Sequence, residues 1–318
     1  MSGIIHQKQD PNAIRATGTL EKRSPGDQAV QVLLYVLIAL IALLCVLPFI
    51  YVIAGSFATE QELTERPFFL IPHEFSLNAY SYILKDGSVF RGLKNSFLVT
   101  IVGTLINMFV SCTLAYPLSR SYLKGRNGFI NMVIVTMLFS GGIVTLYILV
   151  TQTLNMYDSR WALILPNCMS AFYLILVRTA MQNVPDSLEE SAMLDGAGRF
   201  TILFQIMLPL IKATLATVIL YYVIGNWNSW FNAMIYIRSE DKKPLQLILK
   251  ELLVDTNSSS NANVDISVLA SGESGDAVLY KQLMKYCTIM VSTVPMFIFY
   301  PFIQKYFESG VMIGAIKG

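Results

Sequence analysis

Six apolar runs, each long enough to cross a lipid bilayer as a helix, constrain this chain more than any other feature. They lie at about 30–54, 93–117, 129–150, 161–181, 207–236 and 283–304. Crossing a hydrocarbon core of about 30 Å takes roughly 20 apolar residues in a helix. Backbone N–H and C=O groups have no water partners there, so each run must satisfy them within itself. The composition agrees: 54% of the 318 residues are hydrophobic and 14% charged, with mean hydropathy +0.54. Soluble domains carry about 25% charged residues. The expected fold class is an all-α membrane protein with six transmembrane helices.

The runs divide the chain. Residues 1–28 form a polar N-terminal segment, and 29–54 the first transmembrane helix, read as an uncleaved signal anchor because it is too long for a signal-peptide core. Residues 55–92, with Pro67, Pro72 and Gly87, form an external segment of short interfacial pieces. Residues 93–304 form the core domain. Within it lie a surface helix at about 187–198 and a long external loop at 237–282, whose stretch Asn257 to Asn263 is too polar to bury and reads as flexible. Residues 305–318 are a C-terminal tail. Six spans put both termini on one side. Lys8, Arg15, Lys22 and Arg23 before the first span, and Arg120, Lys124 and Arg126 after the second, make that side the cytoplasm. Arg238, Lys242, Lys243 and Lys250 on the other side fall in a long loop, where the rule has little weight.

Several chemistries are disfavoured. A net charge of +2 with no basic cluster excludes nucleic acid as a partner. Cys45, Cys112, Cys168 and Cys287 are scattered through apolar runs and read as small buried apolar residues, not as a disulfide or zinc framework. His6 and His73 stand in polar flanks without a ligand cluster. No Gly-x-x-x-x-Gly-Lys-Ser/Thr phosphate loop occurs, so the chain is not expected to bind ATP itself. His-Glu-x-x-His and Gly-x-Ser-x-Gly motifs are absent too. Without an Asp or Glu inside a span, proton coupling is disfavoured. Arg178 sits near a span end, where it can snorkel.

Between spans four and five lies a polar, glycine-broken segment. Ser187 and Glu190 have the spacing of a capping box, in which each side chain satisfies a free N–H near the helix start. Gly196 and Gly198 end that helix, because glycine accepts a left-handed backbone. Pro209 then stands at the start of the next apolar run, where its missing N–H is harmless or makes a kink. The expected object is a short helix on the membrane surface, with small Ser191 and Ala192 allowing a partner to come close. On these grounds alone it is either a docking element or a plain connector, Glu190 only capping it and Gly196 only ending it.

The fifth run carries Asn226, Trp227, Asn228, Trp230 and Asn232. Unpaired amides in hydrocarbon are costly, so these groups face protein or a watery path. Asparagine offers both donor and acceptor, and aromatic faces pack on sugar C–H surfaces, which suits a neutral glycan. An interfacial tryptophan belt with asparagines bonding helix to helix explains them equally well. Helical phase prevents all of them from facing one way. Asn107, Tyr147 and Asn167 are weaker candidates for the same path.

The loop resembles the EAA loop of type I ABC importer permeases: Glu-Ala-Ala, two residues, Asp-Gly-Ala, eight residues, Ile-x-Leu-Pro. The chain reads Glu190-Ser191-Ala192, Asp195-Gly196-Ala197 and Ile206-Met207-Leu208-Pro209 at that spacing, with Ser191 its one departure. Ser56-Phe57-Ala58-Thr59-Glu60, Leu77-Asn78-Ala79-Tyr80, Asn95-Ser96, Ala115-Tyr116-Pro117-Leu118-Ser119-Arg120 and the tail from Gly310 to Gly318 resemble maltose-type sugar permeases, the tail that of their second permease subunit. Phe139-Ser140-Gly141-Gly142 and Arg160-Trp161-Ala162-Leu163-Ile164-Leu165-Pro166-Asn167 resemble the branch handling polysaccharide-derived oligosaccharides.

The resemblance implies a type I ABC importer transmembrane domain in a bacterial cytoplasmic membrane. It further implies a homologous second permease as heterodimer partner, two cytoplasmic ATPase copies that hold the ATP and Mg, and an external sugar-binding protein. This subunit would be a transport subunit, not an enzyme, with no cofactor of its own. Its coupling residues would be Glu190, Ser191, Ala192, Asp195, Gly196, Ala197, Leu208 and Pro209, with Glu190 touching the ATPase, Ala192 packing into its groove and Gly196 permitting the turn. Two rivals remain: a membrane anchor or signalling subunit for an ATPase, and an autonomous channel.

Overall fold

The computed structural model describes residues 25–66, 68–139, 141–258 and 283–301. The expectations placed on residues 1–24, Ser140, the polar stretch from residue 259 onward and the C-terminal tail lie outside these. The chain divides into two units, Met1–Tyr51 and Val52–Gly318. In the first, the long helix α1 (Pro25–Ser56) carries apolar side chains exposed all round, Leu33 by 68% and Ile38 by 60% among them. A helix without a polar face suits hydrocarbon surroundings.

The second unit, which begins in the last turn of α1, also has helices and no strands among its described residues. Short helices α2 (Glu60–Glu65) and α3 (Asn78–Asp86) lead into α4 (Ser88–Ser119), an unbroken helix of 32 residues. Beyond it come α5 (Arg126–Leu138), α6 (Gly142–Thr153, its last turns wound as a π-helix), α7 (Trp161–Ile164) and α8 (Ala171–Gln182). The surface helix α9 (Asp186–Leu194) precedes α10 (Arg199–Leu210) and α11 (Lys212–Trp227), which meet at 90°. Helices α12 (Trp230–Tyr236), α13 (Leu245–Ser258) and α14 (Leu283–Pro301) complete the described set.

Helix α4 organises this unit because one seam of it is small and polar. Gly92, Asn95, Ser96, Thr100, Gly103, Thr104, Asn107 and Ser111 recur at helical spacing, and all are buried. Small residues let helices approach closely, and polar ones then bond across the contact. At Gly103 the approach is tight: a Cβ there would stand 3.0 Å from Asn226 Nδ2. Ser96 Oγ accepts the N–H of Leu245 at 2.8 Å, and Ser111 shares a 2.8 Å hydrogen bond with the Tyr222 hydroxyl. The main core lies below this level, where Cys112, Ala115 and Tyr116 of α4 pack with Leu174, Val177 and Met181 of α8 and Ile202, Leu203 and Met207 of α10.

Three of the six expected spans differ from expectation. The helix expected over 161–181 breaks after Ile164 and resumes at Ala171. Pro166 supplies the break, having no N–H and clashing with the preceding turn. The 12 residues of α8 reach about 18 Å, short of a hydrocarbon core. The run 129–150 is divided between α5 and α6, and 207–236 among α10, α11 and α12. By length and composition α1, α4 and α14 can each cross a membrane, and the bent pairs α5–α6 and α10–α11 bring the possible spans to five among the described residues.

Within the segment read as an external loop, residues 245–258 form helix α13 instead, with Leu245 and Leu247 buried. Leu245, Ile248 and Leu252 share one helical face, a periodicity hidden by the polar residues around it. Cys112 and Cys287 are buried as expected, but Cys45 is exposed on α1 and Cys168 half-buried; all four are free thiols.

Candidate functional site

The segment 185–211 forms a surface helix and a kinked return, differing from expectation at its start. Pro185 occupies the N-cap position of α9 and Asp186 is already helical, so Ser187 lies inside the first turn and makes no cap. The expected capping box therefore does not form. Asp186 and Glu189 instead place negative charge in the first turn, where the helix dipole favours it.

The C-terminus forms a complete Schellman motif. Ala197 N–H donates to Ala192 O at 2.9 Å and Gly196 N–H to Met193 O at 3.0 Å, with Gly196 at φ +83°. Gly198, by contrast, is extended (φ −73°, ψ 160°) and caps the next helix, a conformation open to any residue.

This register decides which side chains face outward. Glu190, Ser191 and Asp195 are exposed, together with Leu188 and Leu194, the latter by 89%. Ala192 and Ala197 turn inward and pack against the chain's own core beside Met193, so Ser191 is the small side chain left facing solvent. Leu208 packs on the same core, and Pro209 is exposed. The π-helical turns Ile202–Met207 precede Pro209, and the 90° bend follows at Ile211. A π-turn beside a proline absorbs the hydrogen bond that the missing N–H forgoes.

The most strongly held residue of the loop is Glu189, one position before the motif. Its side chain is 3% exposed, and Arg120, at the C-cap of α4, is equally buried. Arg120 Nε stands 2.6 Å from Glu189 Oε2, a charge contact whose N–H is not aligned for a hydrogen bond. The Tyr116 hydroxyl donates to Glu189 Oε1 at 2.7 Å and Arg199 Nη1 donates to the same atom at 2.9 Å. Arg120 Nη1 also donates to Asp186 Oδ1 at 2.6 Å and to Val184 O at 3.2 Å. The Arg199 guanidinium lies 4.5 Å over the ring of Tyr122. Burial pushes the Tyr122 phenol above its ordinary range, and the neighbouring Glu189 carboxylate pushes it further. Removing one member of such a buried pair costs about 3–5 kcal/mol, since the other is left uncompensated. A carboxylate in the first turn of a helix, with Arg120 ahead of it in the sequence, is the available signal for this cluster.

Farther up α4, a cavity of about 440 Å³ opens among α4, α8, α11 and α12. Asn107, Asn167, Asn226 and Asn228 line it with Tyr173, Tyr221, Tyr222, Ser229 and Asn232, and among the described residues no charged side chain is on its wall. Asn107 Nδ2 donates to Asn167 O at 2.6 Å, and Asn226 Nδ2 donates to Thr104 Oγ1 at 3.3 Å. Tyr173 and Tyr221 stack with ring centres 5.6 Å apart, presenting aromatic surface beside the amides.

Three other candidate residues stand elsewhere. Trp227 points away from the cavity, donates Nε1–H to Ser292 O at 3.2 Å and packs edge-on against Phe97. Successive helical residues diverge by about 100°, which separates them. Trp230 packs against Phe231, and Tyr147 stacks on Tyr236.

At the other end of α4, Asn95 Nδ2 donates to the carbonyls of Asp241 and Lys243 at 2.8 and 3.0 Å, while Arg160 Nε donates to Asn95 Oδ1 at 3.0 Å. Asp158 accepts the N–H groups of Arg238 and Ser239 and the ammonium of Lys242. The Lys242 contact, with Ser239 and Arg238, holds the Asp158 carboxyl well below the ordinary aspartate range. The segment after α12 is thus pinned to the unit at two points.

No family model matches the chain. It is 42% identical over 286 residues to the polygalacturonan/rhamnogalacturonan transport system permease protein YtcP of Bacillus subtilis, covering 90% of this chain and 97% of that protein. Protein LplC of the same organism is 41% identical, over 86% of this chain and 90% of its own length. The arabinooligosaccharides transport system permease protein AraQ, also from B. subtilis, is 27% identical over 93% and 99%. Among solved structures, a bacterial ABC transporter involved in import of the acidic polysaccharide alginate matches with a TM-score of 0.80 at 30% identity. That alignment covers 90% of this chain and 99% of the other.

Proposed function

This chain belongs to the family of ABC transport system permease proteins, and we propose that it is the membrane-spanning subunit carrying a carbohydrate, an oligosaccharide, across a bacterial cytoplasmic membrane. In this reading it spans the membrane six times with cytoplasmic termini, the broken run from α7 through α8 supplying the sixth crossing beside the five possible spans. It pairs with a homologous second permease, receives sugar from an external binding protein, and is driven by two copies of a separate ATPase that bind the ATP and Mg.

The observation that carries this reading is the pairing of an outward-facing loop helix with a polar cavity on the same unit. Leu188, Ser191 and Leu194 make a small, partly apolar exposed face on α9, closed by its Schellman turn. A nucleotide-driven partner gripping that face differently in two states would shift the spans between two arrangements, since only differential binding moves such an equilibrium. The cavity, with amides and stacked tyrosines, offers hydrogen-bonding groups and ring faces of the kind a sugar uses. A mere ATPase anchor has no use for such a cavity.

The test is purification of the chain with its co-expressed partners, followed by ATP-dependent uptake of defined oligogalacturonides and arabino-oligosaccharides into proteoliposomes. Co-purification of an ATPase with uptake of either sugar supports the reading. An ATPase that co-purifies while no glycan of a broad panel is carried would favour the anchor.

A further inference from the structure

Glu189 does not belong to the motif that marks the loop, yet it is buried within the chain whereas Glu190, which does belong, is exposed. Its carboxylate joins the docking helix α9 (Glu189), the start of α10 (Arg199) and the end of α4 (Tyr116, Arg120). Helix α4 then continues without a break for 32 residues. Between Arg120 and Asn95 it advances about 37 Å at 1.5 Å per residue. Along that length it holds the inner lock at Arg120, the cavity at Asn107, and the outer segment at Asn95, each by side-chain hydrogen bonds or ion pairs already described.

We propose that Glu189 is the positioning residue that fastens the docking helix to α4, so that α9 and α4 move as one body. This rests on the coupling role proposed for α9. A partner pulling on Leu188 and Leu194 then displaces the cavity wall and the outer segment together. The alternative routes are less direct. Helix α10 is interrupted by π-turns and bent by 90° at its junction with α11, and α8 is only 12 residues long. Coupling between distant sites needs a continuous element with defined contacts at both ends, and among the described residues of this unit α4 joins all three.

The test is a distance measurement on the complex with its co-purifying partners in nanodiscs. Spin labels are placed at Ser187→Cys on α9 and Leu105→Cys on the exposed side of α4, with Cys45 and Cys168 replaced by serine. In the parent, the 187–105 distance is expected to be narrow and unchanged between the nucleotide-free and ATP–vanadate-trapped states. Glu189→Gln keeps the size and the acceptor but removes the charge; it is expected to broaden the distribution and make it shift on trapping. Tyr116→Phe, which deletes one hydrogen bond and no charge, gives a smaller change in the same direction and serves if Glu189→Gln does not assemble.

A parent distance that changes on trapping overturns the proposal, as do variants that both keep the parent distribution. If no ATPase co-purifies, the coupling role itself fails. The nucleotide-free distributions still decide whether Glu189 is the fastener.

Discussion

Substituting Gly196 by alanine isolates the backbone from every other contribution to the loop. A Cβ at this position meets nothing within 4 Å, so the cost comes from the left-handed backbone at φ +83° alone. An L-residue in that region costs about 1–2 kcal/mol, and asparagine visits it more readily than alanine. Two hydrogen bonds, Ala197 N–H to Ala192 O and Gly196 N–H to Met193 O, depend on it. A penalty of this size raises the population of the frayed helix end roughly 5- to 30-fold.

Hydrogen exchange at the amides of residues 196 and 197 should therefore accelerate by that factor in Gly196→Ala and by less in Gly196→Asn. Gly198→Ala, two residues on, should be silent because Gly198 already has an ordinary extended backbone. In the proposed complex, ATPase-coupled uptake should follow the same order: parent, then Asn, then Ala. Equal exchange in the parent and both Gly196 variants, or a Gly198→Ala defect as large as that of Gly196→Ala, would refute the assignment of the turn.

Other outcomes follow from the same geometry. Gly103→Leu forces a side chain into Asn226 and should lower stability by about 1–3 kcal/mol, read as a lower melting temperature of the purified complex. Asn228→Leu should lower sugar uptake with assembly intact, whereas Trp230→Ala, off the cavity wall, should leave uptake unchanged; transport assays on both separate the two residues. The Asp158 pKa is depressed in the folded protein, so its anchoring contribution is full above the ordinary aspartate value of about 3.9 and is lost as pH falls through the lower folded value. Protection of the Arg238 and Ser239 amides, corrected for intrinsic exchange, should thus hold at mildly acidic pH and fail only in strong acid. Asp158→Asn should lose it at neutral pH.

Much of this architecture can be read in the residues. The apolar runs locate α1, α4 and α14, and the motif spacing locates α9 and its glycine turn. What escapes is helical phase and interruption. The expected capping box fails because the N-cap is Pro185, two residues before Ser187. One residue turns a helix by about 100°. The same shift hides Glu189: two adjacent glutamates look alike in a sequence, and only the direction of Arg120 distinguishes them. Trp227 is aromatic and adjacent to cavity amides, yet helical geometry sends it to Ser292. The break at Pro166 was visible as a residue, but the apolar content on both sides read as one continuous span. Asn107 and Asn167 were legible only as polar residues in apolar runs; that they bond each other follows from a pairing of distant segments.

Two of the amides on the cavity wall are already engaged within the chain. Asn107 gives its N–H to Asn167, and Asn226 gives its own to Thr104. A sugar hydroxyl arriving there trades places with a bond that already exists, for a net gain of about 0.5–1.5 kcal/mol or less per exchange. For a sugar taking this route, these two amides are therefore shallow holds.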